Sequence, residues 1–485
     1  MDDDATASAE PTQLIKQFSL STLRGTPRYT YMVAGVAALG GMLFGYDIGV
    51  ISGAENLLKA EFHLSSTTEE LAVAAVLIGS IIGGLVGGRL SDKFSRRWTL
   101  LVMAVLYGVG AIITALAFDL WSFVVFRIVT GIAVGASSLV VPTYIAEMSP
   151  APIRGGLVVL QQLAISGGIF VSYVVDYGFD AAGWGWRLMF GAAIVPSVVL
   201  AVGMLFMCHS PRWLGMQGRW DEAEAVLGRL NPRHQAEELE LVRQDVAEAE
   251  AGRTSWRELL RPGLRGALIA GVGLAVFQQF VGPNTVLFYT PTIFGYAGVG
   301  SGNALLPTIY VGIVLFVFVF PTIAFVDVVG RKKLFYLGLG GMASMLVLLG
   351  LAFKVGAESW GIGVLVVLLV YVAFYSLSIS PLFWLMTAEL FPNRLRGTGA
   401  SASTVANWSA NLLISVTFLT LIDAIGQSWT FWLYAILAVL GIGFVARFVP
   451  ETKGRPLEHI EEYWTNGHHW PSNRRAAAQG EASVP

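Results

Sequence analysis

The sequence predicts an all-α membrane protein: twelve transmembrane helices in two pseudo-symmetric six-helix bundles, joined by a cytoplasmic helical insert. Three observations carry this expectation. Hydrophobic residues make up 55% of the 485 residues and charged residues 13%, with a mean hydropathy of +0.64; an ordinary soluble domain is about 25% charged. Twelve apolar runs have the length of about 20 residues that a hydrocarbon core of ~30 Å requires. The third is a set of polar motifs that recurs at matching positions in the two halves.

The runs fall near 30–53, 69–89, 98–118, 121–143, 156–178 and 187–207, then 265–290, 305–327, 333–352, 361–386, 398–422 and 429–449. Each is long and continuous, unlike the ten-residue alternation of a transmembrane strand. The start, MDDDATASAE, is acidic and polar and does not read as a cleavable signal peptide. Of the 31 Lys and Arg residues, only Lys59, Arg127, Arg187 and Lys354 fall outside the termini, the even-to-odd gaps and the span ends bordering them. The positive-inside rule then places both termini in the cytoplasm, as an even number of spans requires.

The division that follows is a cytoplasmic tail at 1–28, a bundle at 29–207, a linker at 208–264, a second bundle at 265–449 and a cytoplasmic tail at 450–485. Within the linker, WDEAEAVLGRL and HQAEELELVRQDVAEAE space apolar residues three or four apart, as amphipathic surface helices do. No Gly-Lys-Ser/Thr triplet occurs, which argues against an ATP-driven pump. The single Cys208 cannot form an internal disulfide, and the six histidines form no ligand-spaced cluster with it, so neither a metal nor another cofactor is expected. No GxSxG motif suggests a membrane enzyme. His468 and His469 read as part of a polar, solvated tail rather than a metal site.

The repeats locate the candidate gates. SDKFSRR after the second run matches VDVVGRKK after the eighth, so Asp92, Arg96 and Arg97 correspond to Asp327, Arg331 and Lys332. AEMSPAPIRGG after the fourth matches AELFPNRLRGT after the tenth, pairing Glu147 and Arg154 with Glu389 and Arg396. Parallel repeats put a substrate site near the bilayer midplane, between bundles that rock alternately. These ionic clusters are expected to pair across the cytoplasmic ends of neighbouring spans, hold an outward-open state and break as that side opens. Basic residues there also serve topology alone; the acids are what topology does not explain.

Asp47 is the one charge between Tyr29 and Gly53. A carboxylate in hydrocarbon costs about 2.5 kcal/mol or more on insertion scales, so it marks a functional group. Arg127 is the opposite charge placed well inside the fourth run. Beside the guanidinium the carboxylate stays ionised; separated and desolvated, it takes up a proton. The pair reads either as a proton-coupling switch or as a static buried ion pair that orients helices, with the shared bundle favouring the switch.

Together GYDIGVISGA (45–54), PTYIAEMSPAPIRG (142–155), SPRWL (210–214), QQFVGPNTVLFYTPTIF (278–294), AELFPNRLRG (388–397) and PETKGRPLEHIE (450–461) make the chain resemble the sugar porter family of the major facilitator superfamily over residues 29–462. The resemblance implies sugar transport by alternating access. It also implies proton coupling at Asp47, since uniporters of the family typically lack that acid. By the same resemblance Gln162, Gln278, Gln279, Asn284, Trp384 and Asn407 are sugar contacts, with Phe44 and Ile165 lining the cavity. Amides suit a hydroxylated ring because they both donate and accept. Any one of them alone would read as glue between helices; the set over several spans reads as a site.

The chain departs from the family pattern at several points. Gly282-Pro283 precedes Asn284 where Gly-Ile is usual, which makes this pair, with Tyr289, a candidate extracellular gate. Phe288 stands at a position commonly Tyr, Leu315 where many members have Asn, and Ser380-Pro381 where Gly-Pro is common. The reading is a monomeric, proton-coupled importer of a monosaccharide (hexose or pentose) or cyclic polyol. Its setting is a lipid bilayer, expected to be a bacterial inner membrane, with no nucleic-acid partner. An uncoupled facilitator and a non-transporting sugar sensor are the rival readings.

Overall fold

The computed structural model describes residues 27–150, 153–251, 256–261, 263–299, 305–356, 360–392, 395–453, 457–466 and 470. Residues 1–26 of the predicted N-terminal tail, His468 and His469, and the chain from 471 on lie outside the described residues. Among the described residues, eleven helices are long and apolar enough to span a membrane, and the shorter apolar stretch Leu306–Thr322 supplies the twelfth. The first six spans are Arg28–Phe62, Ser66–Phe94, Arg96–Ala115, Leu120–Glu147, Gly156–Ala181 and Gly185–Phe206. The last six are Arg265–Phe288, Leu306–Thr322, Arg331–Val355, Gly361–Thr387, Gly397–Ile425 and Gln427–Phe448.

Close approach holds the first bundle together. Gly41, Gly45, Gly49 and Gly53 recur every fourth residue on span 1 and face span 5. A Cβ at Gly45 would lie 1.9 Å from the Ile165 carbonyl oxygen. Small residues at this spacing let two backbones touch, which in lipid replaces the missing hydrophobic drive between helices. Spans 2 and 4 do the same: a Cβ at Gly79 would sit 2.0 Å from the Ile128 carbonyl, and one at Gly131 2.0 Å from the Val76 carbonyl. The outer surface is inverted relative to a soluble protein. Val102, Val105, Val109 and Ile112 form an exposed stripe along span 3, facing where lipid would lie.

Breaks concentrate in the second bundle. Span 7 stops at Gly282, whose φ of 82° is left-handed, and restarts at Pro283; the short helix Thr290–Tyr296 continues it beyond Phe288 and is counted with it below. Span 8 divides at Phe318, span 10 at Ser378 and span 11 at Val416–Thr417. The sequence reading expected the break at Gly282-Pro283 and treated spans 8, 10 and 11 as continuous; the interruptions leave backbone groups that protein neighbours satisfy, as where the Tyr371 hydroxyl donates to the Val281 carbonyl at 2.7 Å.

The repeat is visible in the backbone itself. Ser95 and Gly330, at matching positions before Arg96 and Arg331, have φ of 81° and 96°. The second half meets that left-handed turn with glycine, and the first half accepts it at a serine.

The linker forms helices Pro211–Met216, Trp220–Leu230 and Gln235–Ala251, then a 3₁₀ turn Trp256–Leu260. Both amphipathic segments expected from sequence are helical. Ala223, Val226, Leu227 and Leu230 are buried, and the insert latches to the first bundle. The Thr30 hydroxyl donates to the Leu230 carbonyl at 3.0 Å and the Trp213 indole to the Asp92 carbonyl at 3.0 Å. The membrane end that carries these helices is called the linker face below.

Candidate transport site

Asp47 and Arg127 meet. Span 1 and span 4 bring the carboxylate and guanidinium into a two-point ion pair, with one leg from Arg127 Nη2 to Asp47 Oδ2 at 3.0 Å and a second from Nη1 to Oδ1. Both are almost wholly buried, at 3% and 1% exposure. Tyr107 of span 3 donates to the Leu43 carbonyl at 3.1 Å, and its hydroxyl lies 3.5 Å from Asp47 Oδ1. The Phe190 ring sits 5.1 Å from the guanidinium carbon, giving Arg127 a cation–π face. Planar two-point pairing is what arginine provides and lysine does not. Breaking it leaves a carboxylate that must find a proton or another cation.

A few residues away a cavity opens between the bundles, lined by Phe44, Gln162, Ile165, Gln278, Gln279, Asn284, Trp384 and Asn407. The six predicted sugar contacts and the two predicted lining residues share this one cavity. The amides bond one another. Asn284 donates to Gln279 at 2.9 Å and Gln279 to Asn407 at 3.2 Å. Asn407 in turn donates to Gln278 and, at 3.3 Å, to the Ala275 carbonyl. Across the bundle boundary Gln162 donates to the Ser380 hydroxyl at 3.0 Å. Buried amides left unpaired would be destabilising, so a polar ligand has to exchange these bonds for its own.

The sequence reading missed Trp408, Tyr375, Ser166 and Leu287, which also line the cavity. Trp408 packs on Phe44 with ring centres 5.2 Å apart, and its indole nitrogen is buried without a partner among the described residues. The signal was present in NWSAN, one residue after Asn407; span 11 turns both toward the cavity. Ser380 and Leu315, noted as departures from the family pattern, do line the cavity.

The ionic clusters sit at the linker face, each inside its own bundle. Arg96 pairs with Asp92 at 3.0 Å and with Glu147 at 3.0 Å, strapping spans 2, 3 and 4. Arg331 pairs with Glu389 at 2.9 Å between spans 9 and 10. Arg154 instead donates to the Ser149 carbonyl at 3.4 Å. The side chains of Asp327 and Arg396 lie outside the described residues. Glu451, from the PETKG tail, accepts the backbone N–H groups of Arg331 and Lys332 at 3.1 and 3.0 Å, an anion placed at a helix N-terminus. In the first half His209 lies 2.8 Å from the Ser95 hydroxyl and stacks on Trp213. Partial burial, then the nearby Arg97 and Arg219, push the His209 imidazole below its ordinary value.

The opposite face is closed. The Tyr173 hydroxyl donates to the Leu287 carbonyl at 2.9 Å, Thr292 donates to Glu55, and Glu70 accepts the Thr420 hydroxyl at 2.6 Å and its N–H at 2.9 Å. These bonds join spans 5, 1 and 2 to spans 7 and 11. Tyr289, beside the Gly282-Pro283 break, is fully buried and stacks on Phe418 with centroids 5.2 Å apart. Among the described residues, hydrogen bonds between the bundles occur at the cavity and on this side of it.

Comparison with known proteins agrees with this architecture. The family profile described as "Sugar (and other) transporter" matches residues 33–464. A D-xylose transporter of Levilactobacillus brevis is 40% identical, over 87% of this chain and 93% of that protein. A galactose-proton symporter of Escherichia coli strain K12 is 35% identical over 92% of this chain and 96% of the relative. Among solved structures, the major facilitator superfamily proton:xylose symporter XylE, bound to 6-bromo-6-deoxy-D-glucose, is 35% identical with a TM-score of 0.77. The match covers 90% of this chain and 99% of that one.

Proposed function

Because the chain belongs to the sugar (and other) transporter family, we propose that it imports a monosaccharide or cyclic polyol by proton symport. It is a multi-pass membrane transporter and not an enzyme, as its family and relatives are. One observation carries the reading. A buried Asp–Arg pair in spans 1 and 4 stands beside an amide-lined cavity that both bundles share.

With the basic linker face cytoplasmic, the closed face is the outer one and the cavity communicates with the inside. Sugar hydroxyls displace the bonds among Gln278, Gln279, Asn284 and Asn407, while Trp384 packs on the C–H face of the ring. Gln162 and Ser380 report occupancy across the bundle boundary. Asp47 alternates between Arg127 and a proton as span 1 moves, so uphill sugar movement follows the proton gradient. The clusters at Asp92, Arg96, Glu147 and at Arg331, Glu389 brace each bundle end, and Gly282, Pro283 and Tyr289 form the outer hinge. Asp327, Arg154 and Arg396 complete the braces. The protein works as a monomer in a bacterial inner membrane, with both termini inside.

Uptake into proteoliposomes over a panel of hexoses, pentoses and cyclic polyols, with and without an imposed pH gradient, tests the proposal. Accumulation above the external concentration is expected only with the gradient. Asp47→Asn should abolish it while leaving sugar-for-sugar exchange. Accumulation that persists in Asp47→Asn makes the Asp47–Arg127 pair structural and the coupling group another residue.

A further inference from the structure

Span 5 carries a second acid in the membrane, and the sugar reading makes no use of it. Asp176 is 1% exposed. Its carboxyl lies flat against the span 1 backbone at the last glycine of the close-packed stripe. A Cβ at Gly53 would fall 2.4 Å from Asp176 Cβ and 2.5 Å from its Oδ2. Neither carboxyl oxygen has a hydrogen-bond partner among the described residues.

The surroundings explain why none is available. Two tyrosines are close enough to feel the carboxyl, Tyr46 on span 1 and Tyr173 on its own span. Both have committed their hydroxyl hydrogens to backbone carbonyls, Tyr46 to Met189 at 2.7 Å and Tyr173 to Leu287 at 2.9 Å. The remaining titratable neighbour of Tyr173 is Glu55 of span 1, another buried acid, which accepts from Thr292 of span 7. The nearest lysine along span 1, Lys59, is taken by Glu69 at 2.7 Å. No arginine, lysine or histidine among the described residues pairs with Asp176. A buried carboxylate with neither a counter-charge nor a donor is not sustained; the group neutralises instead.

We propose that Asp176 is a second proton-binding site, occupied in this conformation and exchanging its proton when the face opposite the linker opens. The site is separate from Asp47, which lies six residues before Gly53 on span 1, about 9 Å along the helix, and turns toward spans 3 and 4. The seal over the Asp176 region is made by span 7, through Leu287 on Tyr173 and Thr292 on Glu55. When that segment swings away, water reaches the carboxyl. Its O–H bond then breaks heterolytically, the electron pair staying on oxygen and the proton passing to water. Closure requires the reverse step, because the pocket holds no cation to replace the proton. The occupancy does not depend on the sugar reading, whereas the exchange step rests on the rocking motion proposed above.

The test begins with infrared spectroscopy of the full-length protein in lipid, without sugar. At neutral pH the wild type should show the carbonyl band of a protonated carboxyl; Asp176→Asn should lose part of it, and Asp47→Asn should not. A wild type without any such band overturns the proposal and requires no variant. An unchanged band in a folded Asp176→Asn protein also overturns it. The second measurement is the dependence of uptake on the pH at the face opposite the linker. Asp176→Asn should remove one titration step from that profile while sugar-for-sugar exchange continues. An unchanged profile overturns the exchange step. Loss of sugar binding in the wild type would count against the sugar reading alone, since the infrared result contains no sugar.

Discussion

The two bundles are built on one repeat but differ in what they bury and in how they are broken. Among the described residues, the first bundle buries the ionisable side chains of Asp47, Glu55, Glu69, Glu70, Arg96, Arg127 and Asp176, whereas the second buries one, Arg331, at its linker face. Where the first has ionisable groups, the second has amides: Gln278, Gln279, Asn284, Asn407 and Asn411 are all buried. The first five spans are single helices of 35, 29, 20, 28 and 28 residues, but span 7 is cut into pieces of 16, 6 and 7. The contrast is physical. Charges in a low-dielectric interior need partners fixed in register, which long helices locked by glycine stripes supply. A ligand that must be bound and released needs neutral groups able to trade hydrogen bonds, on backbone that can bend.

The largest effect should come from breaking a fixed pair in the first bundle. Arg127→Ala leaves Asp47 buried without a counter-charge, a change that costs about 3–5 kcal/mol. Thermal unfolding in detergent should drop steeply, and the pair of changes Asp47→Asn with Arg127→Gln should recover most of it. Equal loss in the single and paired variants would show that Arg127 matters for packing rather than charge.

Backbone contact comes next. Gly45→Ala drives a methyl into the Ile165 carbonyl and should destabilise the protein by roughly 1–3 kcal/mol or more, the range of overpacking. Gly443, in the second bundle, has open space at its Cβ position, so Gly443→Ala should be near neutral on the same melting assay. If the two alanines behave alike, backbone contact at Gly45 is not what locks spans 1 and 5 together.

Affinity should respond to the amides more gently. Gln279 gives one hydrogen bond to Asn407 and accepts another from Asn284, and a neutral hydrogen bond contributes about 0.5–1.5 kcal/mol net. Gln279→Ala should therefore weaken sugar binding by roughly two- to twelvefold per bond lost to the ligand, with little change in the proton:sugar ratio. Titration calorimetry and flux ratios measure the two separately. A change in the ratio without a change in affinity would move Gln279 from the sugar to the proton side of the comparison.

The smallest effect concerns pH. His209 titrates below its ordinary value because burial and neighbouring arginines disfavour its charged form. The unfolded chain takes up that proton near pH 6.5, whereas the folded one does so only at lower pH. Stability is therefore full above the unfolded value and falls as pH drops through 6.5 toward the folded value. His209→Gln should flatten this acid-side fall in melting temperature; an unchanged slope would assign it to other groups.

Much of this was legible without coordinates. Asp47 announced itself as an isolated charge in an apolar run, and Arg127 followed as the one opposite charge at membrane depth. The sugar contacts were legible only through the family resemblance, which named positions on several spans that the structure brings to one cavity. Trp408 was not legible, since a tryptophan beside an asparagine reads as core until span 11 shows which way it turns. Asp176 was passed over for the same reason: near the end of an apolar run it looks like a span boundary, and only the packing of Gly53 shows it to be buried.

The sequence by itself determined the class of protein, the spans, the repeat, the linker helices and the residue types available for chemistry. Hydropathy and periodicity are local properties of the chain, and the bilayer leaves a helix little alternative. The tertiary structure decided which groups are partners. It placed Arg96 with Glu147 inside one bundle, closed the face opposite the linker through Glu55 and Glu70, and left Asp176 without a donor. Pairing depends on the rotation and approach of helices far apart in sequence. Those are set by close packing of small residues, which hydropathy does not record.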